Sequence, residues 1–144
     1  FFMSLREAAR LVIHAAETTK ENEIFVLKMP ATTMADVVDV LQEIMQEDGY
    51  IKKPVPVKVI GAKEGERKHE KLLTIEESEN ALETDDLFII LPNDSMISVK
   101  KAKGVTYAGA KKAKPGDYTT LTTKLLKKAE LKKLLKDGDF YKNA

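Results

Sequence analysis

At 144 residues, with 43% of them apolar, the chain is long enough for one domain with a modest single core. It has no cysteine, which excludes disulfides, thiolate metal sites and a cysteine nucleophile and fits a cytoplasmic setting. The 24 basic residues nearly balance 23 acidic ones, and no run of eighteen apolar residues occurs, so neither membrane insertion nor export is expected.

Ser4-Leu5-Arg6-Glu7 has the spacing of a helix-capping box, and Leu5, Ala8, Ala9, Val12 and Ala16 then line one helical face. Glu23 to Lys28 reads as a strand that Pro30 stops. Thr33 and Asp36 open a second helix. Its buried stripe is Met34, Val37, Val38, Leu41, Ile44 and Met45, and Gly49 ends it. Val55 to Ile60 is β-branched and predicts a second strand, ended by Gly61. Arg67 to Leu73 predicts a helix, and Thr74-Ile75-Glu76-Glu77 caps another short one. Leu87 to Leu91 is the third strand, closed by Pro92-Asn93-Asp94. Ser95 to Thr119 lacks periodicity and reads as loop, with room for a short hairpin. Thr123 to Lys136 is a lysine-rich amphipathic helix with Leu126, Leu131, Leu134 and Leu135 on its apolar side and Gly138 as its stop.

These elements predict an α/β fold: a small mixed sheet of about three short strands packed with helices, plus a C-terminal lysine-rich helix, without a complete Rossmann domain. The expected division is an α/β subdomain over 1–94, a loop-rich connection over 95–119, and a helix with tail over 120–144. Val26, Val57, Val59, Phe88 and Ile90, buried beneath the first two helices, would form most of the core.

The segment V-P-V-K-V-I-G-A-K-E-G-E-R joins an apolar strand to a charged turn punctuated by Gly61 and Gly65. Gly65 allows a positive φ or a close backbone approach, and Lys63, Glu66 and Arg67 sit at the rim. A polar or phosphorylated ligand could lie there, because basic side chains beside a turn commonly meet phosphate. A plain connection has the same local sequence, so the residues alone leave both readings open.

Other features read as structural. His14 and His69 fall on predicted helices without partners at metal-ligand spacing. Tyr107-Ala-Gly-Ala-Lys111 matches a Y-x-x-x-K pair, but Gly104, Gly109 and Pro115-Gly116 around it argue loop and coincidence. Residues 96–144 hold 13 lysines against four acids, whereas the earlier residues are net acidic. A lysine-rich surface packed on the acidic half accounts for this. Nucleic-acid binding is the rival, disfavoured because no aromatic residues interleave the lysines.

The segment G-A-K-E-G-E-R-K-H-E resembles the G-x-R-x-G-E-K-x-x-E signature of nucleotide-sugar enzymes in the extended short-chain dehydrogenase/reductase superfamily. The nearest resemblance is to UDP-N-acetylglucosamine 4,6-dehydratases of polysaccharide biosynthesis. Three further stretches are similar to family motifs in order and spacing: FFMSLREAARLVIHAAE, EIFVLKMPATTMADVVDVL and DYTTLTTKLLKKAEL. The resemblance implies the C-terminal, substrate-binding portion of a longer enzyme, partnered by an N-terminal dinucleotide-binding half. It implies no cofactor and no catalytic or metal-ligating residue in this chain, and NAD or NADP in the parent. The substrate-binding residues it implies are Lys63, Gly65, Glu66 and Arg67, facing a UDP-N-acetylglucosamine-like sugar nucleotide. Lys63 would meet the diphosphate and Glu66 the ribose hydroxyls.

The chain departs from the family pattern in places. Lys63 stands for the usual arginine, which removes a planar fork. Arg67 takes the lysine position, Lys68 takes an apolar one, and Thr120 and Thr122 replace serine and asparagine. Tyr118 is retained and reads as structural. The parent reaction would oxidise C4 of the sugar, eliminate water across C5–C6 and return hydride to C6; the chain alone would be silent. Without its partner half, Phe1, Phe2 and Met3 would be exposed and would favour a homo-oligomer. A stand-alone interaction domain is the alternative reading.

Overall fold

The protein is described by a computed structural model covering residues 1–20, 22–92 and 107–138. Helix α1 spans Leu5–Thr18, strand β1 Ile24–Leu27 and helix α2 Met34–Glu47. There follow β2 (Lys71–Leu73), α3 (Ile75–Glu79), β3 (Ala81–Glu83), β4 (Leu87–Ile90), β5 (Lys111–Lys112), β6 (Tyr118–Thr119) and α4 (Lys128–Asp137). The α/β class is as expected, and every pair of strands among the described residues is antiparallel. One sheet has the order β1-β4-β3-β5, and β2 pairs with β6 in a second. An isolated parallel bridge joins Ala31 to Leu125.

Local chemistry sets the helix starts. Ser4 Oγ accepts from the Glu7 amide, and the Glu7 carboxylate accepts in return from the Ser4 amide at 2.7 Å. Thr74 and Glu77 form the same reciprocal box at α3, and Thr33 Oγ1 caps α2 by accepting from the Asp36 amide. Gly49, with φ +78°, follows the C-cap of α2.

The core has two centres. Val37, Val40 and Ile44 of α2 meet Leu131 and Leu135 of α4, flanked by Phe2, Leu41 and Leu126. Leu73, Ala81, Phe88 and Ala113 form the second, with Val26, Ile90 and Tyr118 packed against them. Acidic α2 and basic α4 also pair electrostatically along their exposed edge. Lys128 meets Asp39 at 2.7 Å, Lys132 meets Glu43 and Glu47, and Lys136 meets Glu47 at 2.9 Å. The lysines of α4 therefore pair with the acids of α2, in the sense that the charge division predicts.

Several expectations are corrected. Val55 to Ile60 forms no strand; it lies on the surface without regular structure, with Val57 60% and Val59 89% exposed. Pro54 and Pro56 remove two amides from one edge, no strand lies beside the other, and β-branched character alone cannot pair a strand. Arg67 to Leu73 is not helical. Its last three residues pair with β6, and tertiary pairing overrides the local pattern. His69 accordingly lies outside any helix.

The apolar face of α1 headed by Leu5 and Val12 points to solvent, and the helix contributes no fully buried residue. Phe1, Phe2 and Met3 are half-buried by the chain itself: Phe1 stacks on Tyr118 at 5.5 Å, and the Phe2 amide donates to Pro30 O. Helix α4 begins at Lys128 rather than Thr123, after a series of turns. The predicted turn at Asn93-Asp94 and the predicted loop as far as residue 106 lie outside the described residues; the rest of that loop carries the short strands β5 and β6.

Candidate functional site

The predicted site residues lie on an exposed arm, residues 52–70, between α2 and β2. Both ends of the arm are tied down. After α2, the amides of Tyr50 and Ile51 both donate to Met45 O, and the Val55 amide donates to Gln42 Oε1. At the far end the Thr120 amide donates to Glu70 O at 3.0 Å, and the Glu70 amide donates to Thr120 Oγ1 at 3.2 Å. The Thr120 hydroxyl also lies 3.4 Å from His69 Nδ1.

Between these ties, Lys63 to Glu66 makes a single turn. The Glu66 amide donates to Lys63 O at 3.1 Å, and Glu66 Oε2 accepts from the Lys63 amide at 2.8 Å. Gly65 has φ +86° at the third position, as a type II turn requires, so glycine there is a conformational necessity. The structure thus brings Lys63, Gly65 and Glu66 together, with Arg67 next in chain. All four are exposed, and none lines the clefts beside α1. Neither Lys63 nor Arg67 forms an ion pair among the described residues, so both cations are open to an anionic ligand. The Lys63 amide holds the carboxylate of Glu66 within the turn.

Asp117 joins Lys71 of β2 to the start of α3, and sequence reasoning missed it. Its Oδ2 meets Lys71 Nζ at 2.7 Å, and its Oδ1 accepts the Ile75 amide at 2.9 Å, capping α3 from a distance. The Lys71 hydrogen bond, with its charge and the Ile75 amide, holds the Asp117 carboxyl below its ordinary value. No spacing within the chain advertises this residue, because its partners lie more than forty positions away.

A cleft of about 610 Å³ lies elsewhere, between α1 and the β1–β4 side of the sheet. Phe25 and Tyr107 meet edge to face within it at 6.1 Å, and Arg10 and His14 border it from α1. Lys28 also lines it but is committed to structure. Its ammonium binds Glu83 at 2.7 Å and Thr84 O at 2.6 Å, over the Phe88 ring. Tyr107 and Lys111 are not on a helix: Tyr107 precedes a turn and Lys111 lies on β5. Tyr118 is structural, its hydroxyl donating to Met29 O at 2.9 Å and its ring meeting Phe88.

Among the described residues no group of three or more histidines and carboxylates could hold a metal ion. No described helix is long and apolar enough to cross a membrane. The strand pairs among the described residues are all antiparallel, so those residues contain no parallel βαβ crossover.

A family model described as "Polysaccharide biosynthesis protein" matches residues 1–92, more than half of the chain. The chain is 35% identical over 138 residues to an uncharacterized membrane protein of Methanocaldococcus jannaschii, covering 95% of this chain and 38% of that one. It is 34% identical over 142 residues to the UDP-glucose 4-epimerase of Rickettsia akari, covering 97% and 39%. Among solved structures, Pen from Bacillus thuringiensis superposes with a TM-score of 0.79 at 33% identity, over 96% of this chain and 38% of that one. The chain thus spans under two-fifths of the length of these relatives.

Proposed function

The chain belongs to the polysaccharide biosynthesis protein family, and on that premise we propose that its Lys63–Arg67 turn binds the UDP portion of a nucleotide sugar. The observation that carries this reading is the turn itself. Two unpaired cations and one backbone-fixed carboxylate project from a glycine-dependent bend anchored at both ends of its arm. Lys63 and Arg67 offset the diphosphate charge as cations. Glu66 accepts from the vicinal ribose hydroxyls, which a carboxylate can do with both oxygens. Gly65 lets the backbone approach without a side chain in the way.

In this reading the chain binds and positions substrate, and a nicotinamide and its proton-transfer groups act from another part of the polypeptide. The sequence signature favours a UDP-N-acetylglucosamine 4,6-dehydratase, whose product has lost water. The relatives named UDP-glucose 4-epimerase favour a second reaction on the same kind of substrate, whose product is an isomer. Mass spectrometry of the product separates the two, since only the first loses 18 Da (approximately).

Calorimetric titration with UDP and with UDP-N-acetylglucosamine tests the site. Lys63→Ala and Glu66→Ala are each expected to weaken binding about tenfold, the size of one charge-assisted hydrogen bond. Glu66→Gln keeps an acceptor for the Lys63 amide, so it should preserve the turn while still weakening binding. Binding that is unchanged in all three variants would reject the assignment.

A further inference from the structure

Asp117 to Thr122 fold into a loop that braces itself. Thr119 is buried, and its Oγ1 accepts from the amides of Leu121 and Thr122. Thr122 Oγ1 accepts in return from the Thr119 amide at 3.0 Å and donates to Asp117 O at 3.0 Å. A loop whose own hydroxyls satisfy its backbone groups holds the residue between them in one place. That residue is Thr120.

The loop grips three successive residues where the arm meets β2. Asp117 binds Lys71 Nζ at 2.7 Å, and Thr119 stands opposite Lys71 in the β2–β6 pair. Thr120 meets Glu70 through both its amide and its hydroxyl, and the hydroxyl also lies 3.4 Å from His69 Nδ1.

The Lys63–Glu66 turn depends on these ties. Residues 52–70 are exposed at every position, so within this chain hydrogen bonds rather than packing hold the arm. The tie at Glu70 is four residues from Glu66, a reach of at most about 14 Å; the tie at Val55 is eight residues from Lys63, at most about 29 Å. The Thr120 side therefore confines the turn more tightly. A ligand that meets Lys63 and Glu66 together gains from finding both in place, because an arm that must be ordered on binding subtracts from affinity.

We propose that Thr120 is a positioning residue for nucleotide binding: through Glu70 it fixes the arm that presents the Lys63–Arg67 turn to a uridine diphosphate group. The inference rests on the reading of that turn as the binding site. Thr120 acts on the arm and not on the ligand.

Calorimetric titration of the full-length protein with UDP tests it. Thr120→Val keeps the side-chain shape and should retain the wild-type circular dichroism while weakening binding about threefold to tenfold; Thr120→Ser should stay within about twofold of wild type. In a Glu66→Ala background, Thr120→Val should cost less than about twofold, since it acts through the turn that Glu66 serves. By reciprocity, saturating UDP should slow exchange of the Glu70 amide in the wild-type protein, a reading that stands even if the valine variant fails to fold. Lys63→Ala weakening binding while Thr120→Val leaves it unchanged would overturn this inference and keep the turn as the site. No change in either variant would overturn both. Additive losses in the double variant, or Glu70 exchange indifferent to UDP, would overturn the positioning role alone.

Discussion

Thr120 and Glu70, fifty positions apart, hold each other twice: amide to carbonyl in one direction and amide to hydroxyl in the other. This double tie joins the end of the glycine-punctuated arm to the threonine-rich segment before α4. It continues directly into the β2–β6 pair, where Lys71 faces Thr119. The far end of the candidate binding turn is therefore fixed by residues that sequence motifs alone treat as a separate block.

Replacing that hydroxyl should loosen the arm. Thr120→Val removes the acceptor for the Glu70 amide but keeps the residue's shape, and should cost about 0.5–1.5 kcal/mol. Thr120→Ser should restore most of it. Urea denaturation gives the magnitude, and faster exchange of the Glu70 amide in the valine variant would locate it.

Gly65→Ala separates conformation from packing. Nothing lies within 4 Å of where its Cβ would sit, so the only cost is the positive φ, about 1 kcal/mol. Because the turn is exposed, that cost should fall on the local turn and leave the melting temperature nearly unchanged. A clear fall in global stability would show that the arm is coupled to the core more tightly than its exposure implies.

The α2–α4 ladder predicts a pH window. Hydrogen bonds from Lys132 and Lys136 hold the Glu47 carboxyl below its ordinary 4.5, and the Lys28 hydrogen bond does the same for Glu83. For a lowered carboxyl, the stabilisation is complete above the unfolded value near 4.5 and is lost as pH falls through the folded one. Hydrogen bonds to Asp39 and Glu47 raise Lys128, Lys132 and Lys136 above 10.5. Their contribution is complete below 10.5 and is lost as pH rises through the folded value. Stability should therefore be flat between these limits and fall outside both. Thermal melts across pH 3–12, roughly, would show it. The exposed pairs should also weaken as salt is raised.

Two apolar substitutions separate core from surface. Ile44→Ala removes a side chain with no exposed area between α2 and α4 and should cost about 2–5 kcal/mol. Val59→Ala should stay within about 0.5 kcal/mol of wild type, because its side chain faces water. Chemical denaturation of both variants measures the contrast. Similar losses would mean that the arm folds back onto the body in solution.

What was legible in the chain was whatever short-range chemistry decides. The Ser4, Thr33 and Thr74 caps, the strands around Val26 and Phe88, the stop at Gly49 and the Lys63–Glu66 turn all depend on residues within a few positions of one another. The lysine surplus of α4 against the acids of α2 was visible as a charge division along the sequence. The helix predicted over Arg67 to Leu73 failed because β6, nearly fifty residues away, claims its last three residues as a strand.

By itself, then, the sequence determined which segments can be helix or strand, the turn that gathers Lys63, Gly65 and Glu66, and the family motifs. Only the tertiary structure decided which apolar faces are covered. Val12 and Val59 carry the same side chain as the buried Val40, yet they meet water because no neighbour occupies their side. Burial depends on what lies across the gap, and a one-dimensional pattern records only the face that is offered.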